Sequence, residues 1–464
     1  MRLFNTLTNQ VEELVPVEQG LVKIYACGPT VYRYVHIGNL RTFLLSDLLR
    51  RALEFEGHDV LLIMNITDVG HMTDDVLDAG EDKMDVSVAR ERLSPEQIAE
   101  KYTAAFLEDC DAIGILRADQ YPKATDHIAE MIALIERLIE RGHAYVVGGS
   151  VYFDVHSFPG YGRLSGNTLD NLRAGHRDIE RDPNKRQPED FALWKEAGPR
   201  RLMTWQSPWG VGFPGWHIEC SAMSMRYLGD RFDVHTGGND LKFPHHEDEI
   251  AQSDGATGHQ VISTWVHGGH LRSSGQKMAK STGNVTRIGD VVESLGVDPL
   301  AFRYLCFQTR YRSEMDFSLE AMLVADRSVK RMRQRMADWA TEARNGLATE
   351  AKELDARFRD ALADDLDLPE AVVVLNETLS APIPGGEKYV LLSAWDAVLG
   401  LDLERDARGG ELVLPAEVRR LLEDRDAARA ARDFARSDAI RDELTQLGYE
   451  VMDTPEGTRV RARA

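Results

Sequence analysis

Cys27, Cys220, His245 and Glu249 are residues whose side chains bind borderline-soft metal ions. Cys27 follows a short apolar run. Cys220 closes the stretch Gly215-Trp216-His217-Ile218-Glu219-Cys220. His245 and Glu249 lie four apart in Pro244-His245-His246-Glu247-Asp248-Glu249, a spacing that puts both on one face of a helix. Two thiolates, an imidazole and a carboxylate form a zinc-type donor set. Cysteines and histidines scattered along a chain also serve as packing or surface residues, and their spacing alone leaves both readings open.

Two further stretches suit phosphate. His36-Ile37-Gly38-Asn39 stands where a strand passes into a helix. A helix N-terminus offers unpaired N–H groups and the positive end of its dipole, and Gly38 permits close backbone approach. His36 can donate to a phosphoryl oxygen as charge builds there. Lys277-Met278-Ala279-Lys280-Ser281 carries two lysines three apart in a glycine-flanked loop, enough to clamp a polyphosphate as point charges. Taken singly, the first also reads as a turn with a surface histidine and the second as a solvated basic loop.

The elements that must hold these groups follow from local patterning. Val22, Ile24 and Ala26 alternate with Lys23 and Tyr25, which reads as a strand ending at Cys27-Gly28-Pro29. Leu40, Phe43, Leu44, Leu48 and Ala52 then follow helical spacing from Gly38-Asn39 until Gly57. The apolar run from Val60 to Ile66 fits a buried parallel strand. Strand, turn, helix, strand is a βαβ unit, with a binding crevice expected at the carboxyl ends of its strands. A helix over 124–140, hairpin strands near 144–155 and a polar stretch over 175–189 read as an insertion. The core resumes at Phe213-Pro214-Gly215-Trp216, followed by a helix through Met225. Beyond Asn284 the chain is mostly helical, with Met322, Val329, Met332, Met336 and Trp339 on one stripe from 318 to 344. One more helix is expected from Pro415 to Leu447.

The chain has 464 residues, a hydrophobic share of 43% and a charged share of 28%, suited to several globular domains. It shows neither a secretory leader nor an apolar run of bilayer length. The four cysteines lie far apart, which argues against a disulfide scaffold and for a reducing, cytosolic setting. The net charge of −21 confines any nucleic-acid contact to local basic strips. Candidates are Arg327 to Arg335, the arginines from Arg419 to Arg441, and the terminal Arg459, Arg461 and Arg463. Salt-bridged, solvated helices explain the second group equally well.

The two phosphate motifs together resemble the paired His-Ile-Gly-His and Lys-Met-Ser-Lys-Ser signatures of class I aminoacyl-tRNA synthetases, in the same order. Asn39 replaces the second histidine and Ala279 the serine. Three further stretches are similar to the cysteine-specific branch of that class: Tyr25-Ala26-Cys27-Gly28-Pro29-Thr30-Val31-Tyr32, Gly215 to Met223, and Phe243-Pro244-His245-His246-Glu247. The likeness runs from about residue 1 to 320. It implies an α/β fold: a Rossmann-like parallel-sheet catalytic core with an inserted subdomain, then an α-helical bundle and a small C-terminal domain. The corresponding division is 1–116 and 204–285 for the two core halves, 117–203 for the insertion and 286–320 for a linker continuing the signature loop. Residues 321–404 would form a tRNA-contacting bundle and 405–464 an anticodon-side domain.

The resemblance also implies roles. Cys27, Cys220, His245 and Glu249 would hold one zinc ion that binds the thiolate of substrate cysteine. Gly28, Thr67 and Trp216 would line the amino-acid pocket. Gly237, Gly238, Asp240, Trp265 and His267, with His36, Gly38, Asn39, Lys277, Lys280 and Ser281, would contact ATP, supplied with Mg2+. Cys110 and Cys306 match no ligand position. The implied partners are ATP, L-cysteine and a cysteine tRNA, with no membrane, and a monomeric chain is expected. Two rivals remain at this point: a ligase transferring activated cysteine to an amino-sugar, and a non-catalytic tRNA-binding paralogue.

Overall fold

The computed structural model describes residues 1–74, 79–167, 182–199, 201–273, 276–277, 286–342, 347–407, 416–430, 433–447, 449–454 and 457–462. Its core is a four-stranded, all-parallel sheet. The strands are β1 (Leu21–Ala26), β2 (Asp59–Met64), β3 (Phe232–Gly238) and β4 (Ile262–Gly268), in the spatial order β4-β3-β1-β2. Helix α1 (Ile37–Phe55) joins β1 to β2. Helices α2 (Trp216–Leu228) and α3 (His245–Thr257) flank β3 in sequence. The first βαβ unit grows away from β1 on one side and the second on the other. The chain order therefore reverses between β1 and β3, and a crevice opens at their carboxyl ends.

Both faces of the sheet are covered, so its strands are buried on both sides. Val22, Ile24 and Ala26 of β1 enter a core shared with Leu40, Leu44 and Leu48 of α1. Tyr25 and Cys27 enter a second core with Ile218 and Cys220 of α2 and Trp265 of β4. The alternation at Lys23 and Tyr25 thus marks two different interiors; Tyr25 is fully buried.

Segment 119–124 adds an edge to the same sheet. It pairs with β2 and the residues after it through Met64 N–H to the Gln120 carbonyl (3.1 Å) and Ile66 N–H to the Pro122 carbonyl (2.8 Å). A separate antiparallel sheet of five strands runs from Ala144–Val147 to Gly210–Pro214. It extends past the boundary at 203 expected from the sequence, because Gly212, Phe213 and Pro214 pair with Trp194–Glu196 before the chain returns to α2. The linker region holds helices Ile288–Leu295 and Leu300–Cys306 and the strand Met315–Phe317, which pairs with Leu271–Ser273.

Helices Leu319–Trp339, Thr349–Ala363, Leu368–Ser380 and Gly385–Leu399 form the helical region, with Phe358 stacked on Trp395 at 4.3 Å. The basic stripe expected to face tRNA is partly internal. Arg333 is buried and donates to the Leu401 carbonyl (2.6 Å) and to Asp298 (2.5 Å), while Arg335 donates to the Leu379 carbonyl. Arg327, Lys330 and Arg331 remain exposed. The single helix expected over 415–447 is instead two, Ala416–Ala430 and Phe434–Gln446. Asp433 caps the second by accepting from Arg436 N–H at 3.1 Å. Arg459 and Arg461 sit in a hairpin strand, Gly457–Ala462, paired with Tyr449–Thr454. Arg463 lies outside the described residues.

Candidate active site

Alternation along the strands aims Tyr25 and Cys27, His235 and Gly237, and Trp265 and His267 into one layer at the carboxyl end of the sheet. Register puts His235 opposite both Tyr25 and Trp265. Helix α2 brings Cys220 and His217 onto this layer, and the first turns of α3 bring His245, His246 and Glu249. Most of α3 is buried despite its acidic opening. Buried charge is tolerated only when it is paired, and each group here has partners. Glu247 accepts from Ser165 N–H (2.8 Å), and Asp248 accepts from the Tyr161 hydroxyl (2.5 Å). Glu249 contacts His235 and His245, each at 3.0 Å.

The four expected metal-binding residues converge. Cys27, Cys220, His245 and Glu249 can each turn a donor atom inward so that all lie within 4.8 Å of one another. The Cys27 and Cys220 sulfurs are 3.9 Å apart, and Cys27 Sγ is 3.9 Å from Glu249 Oε1. A second set, Cys27, His235, His246 and Glu249, meets the same test, with His246 Nε2 3.3 Å from Cys27 Sγ. Cys27 and Glu249 belong to both sets.

An outer layer orients these rings, the arrangement found around metal-binding histidines. His245 Nδ1 meets His217 Nδ1 at 2.9 Å, and His217 Nε2 meets Asp248 at 3.3 Å. His246 Nδ1 meets His267 Nε2 at 2.8 Å, and His267 Nδ1 meets the Thr6 hydroxyl at 2.8 Å. Trp265 is fully buried and stacks on His235 at 4.6 Å. His217, His235 and His246 were not singled out from the sequence as site residues. His217 and His246 stand inside the quoted motifs, and only that recurrence could have marked them.

Electrostatics in the cluster set a thiolate and a carboxylate against protonated imidazoles. Burial alone would raise the Cys27 thiol, but the hydrogen bond from Cys220 and the charges of His246 and His245 bring it well below the ordinary thiol value. Cys220, bonded to that thiolate and buried, is pushed up. Burial would lower the His245 pKa, yet Glu249 and Cys27 raise it to about 10. Burial would raise Glu249, and His235 and then His245 hold it below the carboxylate range.

Beside the cluster, Trp216 packs over the His245 ring at 4.3 Å. Thr67 donates to Glu219 (3.2 Å), whose other oxygen lies 2.7 Å from His71 Nε2. Gly28 N–H donates to Asn65 Oδ1 at 2.9 Å, and a Cβ at Gly28 would stand 1.8 Å from the Asn65 carbonyl oxygen. The Trp216, Thr67 and Gly28 positions therefore border the cysteine–histidine layer.

At the start of α1, His36 and Asn39 form a reciprocal cap. His36 Nδ1 accepts from Asn39 N–H and Asn39 Oδ1 accepts from His36 N–H, both at 3.2 Å. The helix opens at Ile37, one residue before the position read from the sequence. Gly237 and Gly238 end β3, and Asp240 is exposed in the turn that follows. A Cβ at Gly237 would stand 2.5 Å from the His246 ring, so only glycine fits there. Lys277 lies in the short strand Gln276–Lys277, paired with Leu271–Ser273; its side chain, Lys280 and Ser281 lie outside the described residues. Arg41 ties this region to α1. Its guanidinium donates to the carbonyls of Gly269 (2.8 Å), His270 (3.1 Å), Arg310 (3.3 Å) and Ser313 (2.8 Å), where the chain enters the strands beside Lys277.

Residues 13–327 match the family model described as the class I (C) tRNA synthetase catalytic domain, and residues 413–461 match the cysteinyl-tRNA ligase anticodon binding domain. The chain is 44% identical to the cysteine–tRNA ligase of Salinibacter ruber, covering 98% of this chain and 97% of that one. It is 44% identical to a cysteine–tRNA ligase of Thermus thermophilus, covering 99% and 98%. Among solved structures, Mycobacterium tuberculosis methionyl-tRNA synthetase in complex with methionyl-adenylate superposes with a TM-score of 0.57 at 14% identity. The match covers 84% of this chain and 92% of that one, a likeness of fold. A catalytic-domain match over two thirds of the sequence, and full-length identity above 40%, establish that this chain belongs to the cysteine–tRNA ligase family of class I aminoacyl-tRNA synthetases.

Proposed function

We propose that the chain activates L-cysteine with ATP and transfers it to a cysteine tRNA, with Cys27, Cys220, His245 and Glu249 holding one zinc ion at the amino-acid pocket. The observation that carries this reading is the convergence of those four donors at the switch point of the parallel sheet. The donor chemistry fits zinc, and the histidine–carboxylate outer layer supports it. Bound zinc would supply a Lewis acid that favours a thiolate over a hydroxyl and so separates cysteine from serine.

The chain's own residues then position the reaction. Gly28, Thr67 and Trp216 border the amino acid. Gly237, Gly238 and Asp240 face adenosine, and Trp265 and His267 back the layer beneath it. The substrate carboxylate attacks the α-phosphate of magnesium-bound ATP, and pyrophosphate leaves. His36 and the Gly38 N–H opening α1 meet the developing charge, with Asn39 holding His36 in place through the reciprocal cap. Lys277 and Lys280, with Ser281 beside them, neutralise the leaving phosphates. The terminal ribose hydroxyl of the tRNA next attacks the acyl carbon and AMP departs. No protein nucleophile is needed, so positioning and electrostatics carry the rate.

The bundle and the C-terminal unit are assigned to tRNA, the latter through its match to an anticodon binding domain. That match disfavours an amino-sugar acceptor, which has no anticodon to bind. A cytosolic setting, supported by four buried free cysteines, and a monomeric chain belong to the same proposal. No helix among the described residues is long and apolar enough to cross a membrane.

The test is ATP–pyrophosphate exchange driven by cysteine and not by serine, followed by charging of cysteine tRNA. Exchange without charging would support the amino-sugar ligase. No exchange with any amino acid would support the non-catalytic paralogue.

A further inference from the structure

Tyr25 stands on β1 two residues before Cys27, so its side chain enters the same layer as the Cys27 sulfur. The side chain is fully buried and meets the His235 ring edge-on at 5.1 Å. Its hydroxyl oxygen is sealed from solvent and makes no well-aligned hydrogen bond among the described residues. The charged groups surrounding it are Cys220, Cys27 and Glu249. A buried hydroxyl without a partner is destabilising, and a phenylalanine would fill the same space without that cost. The hydroxyl therefore calls for an acceptor, and the Cys220 sulfur lies within its reach. Cys220 of α2 shares this core with Tyr25: once its sulfur is a metal-bound thiolate, it carries lone pairs able to accept an O–H donor.

We propose that Tyr25 is a positioning residue whose hydroxyl donates to the Cys220 thiolate when that sulfur holds the metal. The inference rests on the metal-site reading above. The hydrogen bond would fix the Cys220 rotamer and draw electron density from the sulfur. The metal would stay a stronger acceptor for the incoming substrate thiolate.

The test uses the full-length chain and its Tyr25→Phe variant, each stripped of metal and reloaded with Co2+. In the wild type, Co2+ binding should give a sulfur-to-cobalt charge-transfer band. In Tyr25→Phe that band should move to lower energy, because a sulfur without its donor releases charge more readily. Chelator competition should show metal binding weakened about 10-fold, the lower end of the range for lost outer-layer partners. The metal-free variant should melt no lower than the metal-free wild type. An unchanged band with unchanged affinity would overturn the role of Tyr25 while leaving the metal site standing. A variant that melts lower without metal would also overturn it, since the hydroxyl would then have a structural partner. Failure of the wild type to bind Co2+ at all would remove the metal site and this inference together.

Discussion

The Arg303 guanidinium and the Asp47 carboxylate meet at 2.7 Å with both side chains fully buried. Asp47, on α1, also accepts from Arg51 (3.0 Å) and from Leu116 N–H (2.8 Å). Arg303 reaches the carbonyls of Gly114 (3.1 Å), Val398 (3.2 Å) and Leu399. The pair thus joins the helix that starts at the phosphate motif to the end of the helical region. Arg303→Met should lower stability by about 3–5 kcal/mol, because it strands a buried carboxylate. Pairing it with Asp47→Leu should recover much of that loss. Thermal melting of the single and double variants measures both effects.

Cys220→Ser should reduce bound zinc and raise the cysteine KM together, with metal affinity down about 10-fold or more. His246→Ala separates the two overlapping donor sets. It should leave metal content near one per chain if Cys220 and His245 complete the site, and abolish it if His235 and His246 do. Elemental analysis beside exchange kinetics measures this. Unchanged zinc and unchanged cysteine KM in Cys220→Ser would sink the metal reading.

Arg41→Lys keeps a positive charge but cannot span the four carbonyls that the planar guanidinium serves. The base of the lysine loop should lose its fixed distance from His36. Steady-state exchange should show kcat reduced by up to about 100-fold. The cysteine KM and the zinc content should stay near wild-type values, since the metal cluster lies elsewhere.

Asp109, in helix Pro95–Ala112, has its carboxyl pushed up to about 6 by burial. The native state therefore holds this proton more tightly than the unfolded chain does. The cost of ionising it is fully present above about pH 6 and fades as pH falls toward the ordinary carboxylate value. Asp109→Asn should stabilise the protein at pH 8 by roughly 2 kcal/mol at most. The gain should shrink at pH 5, so melting curves of both proteins at the two pH values decide the point.

Local chemistry was readable wherever it repeats along the chain. The alternation before Cys27 and the apolar spacing after Gly38 lie within two residues of β1 and α1. The donors 27, 220, 245 and 249 carry no such period, and resemblance to a family was needed to select them. His235 could not be chosen from its surroundings, because it sits in a continuously buried strand where neighbours give no contrast. Arg333 shows the opposite failure. It reads as one more surface cation on a basic stripe, yet carbonyls from 401 and 402 and the Asp298 carboxylate enclose it. Tertiary partners decide such residues, and a helical period does not report them.

The two sulfurs 3.9 Å apart in the finished layer are separated by 193 positions in the chain. At the usual pace of about 5–20 residues per second, a ribosome needs roughly 10–40 seconds to deliver the second after the first. During that interval Cys27 emerges alone, without the residues that lower its thiol. On the zinc reading proposed above, capture at this pair has to wait for β3, α2 and α3 to close over β1, which would make metal loading a late event in the birth of the molecule.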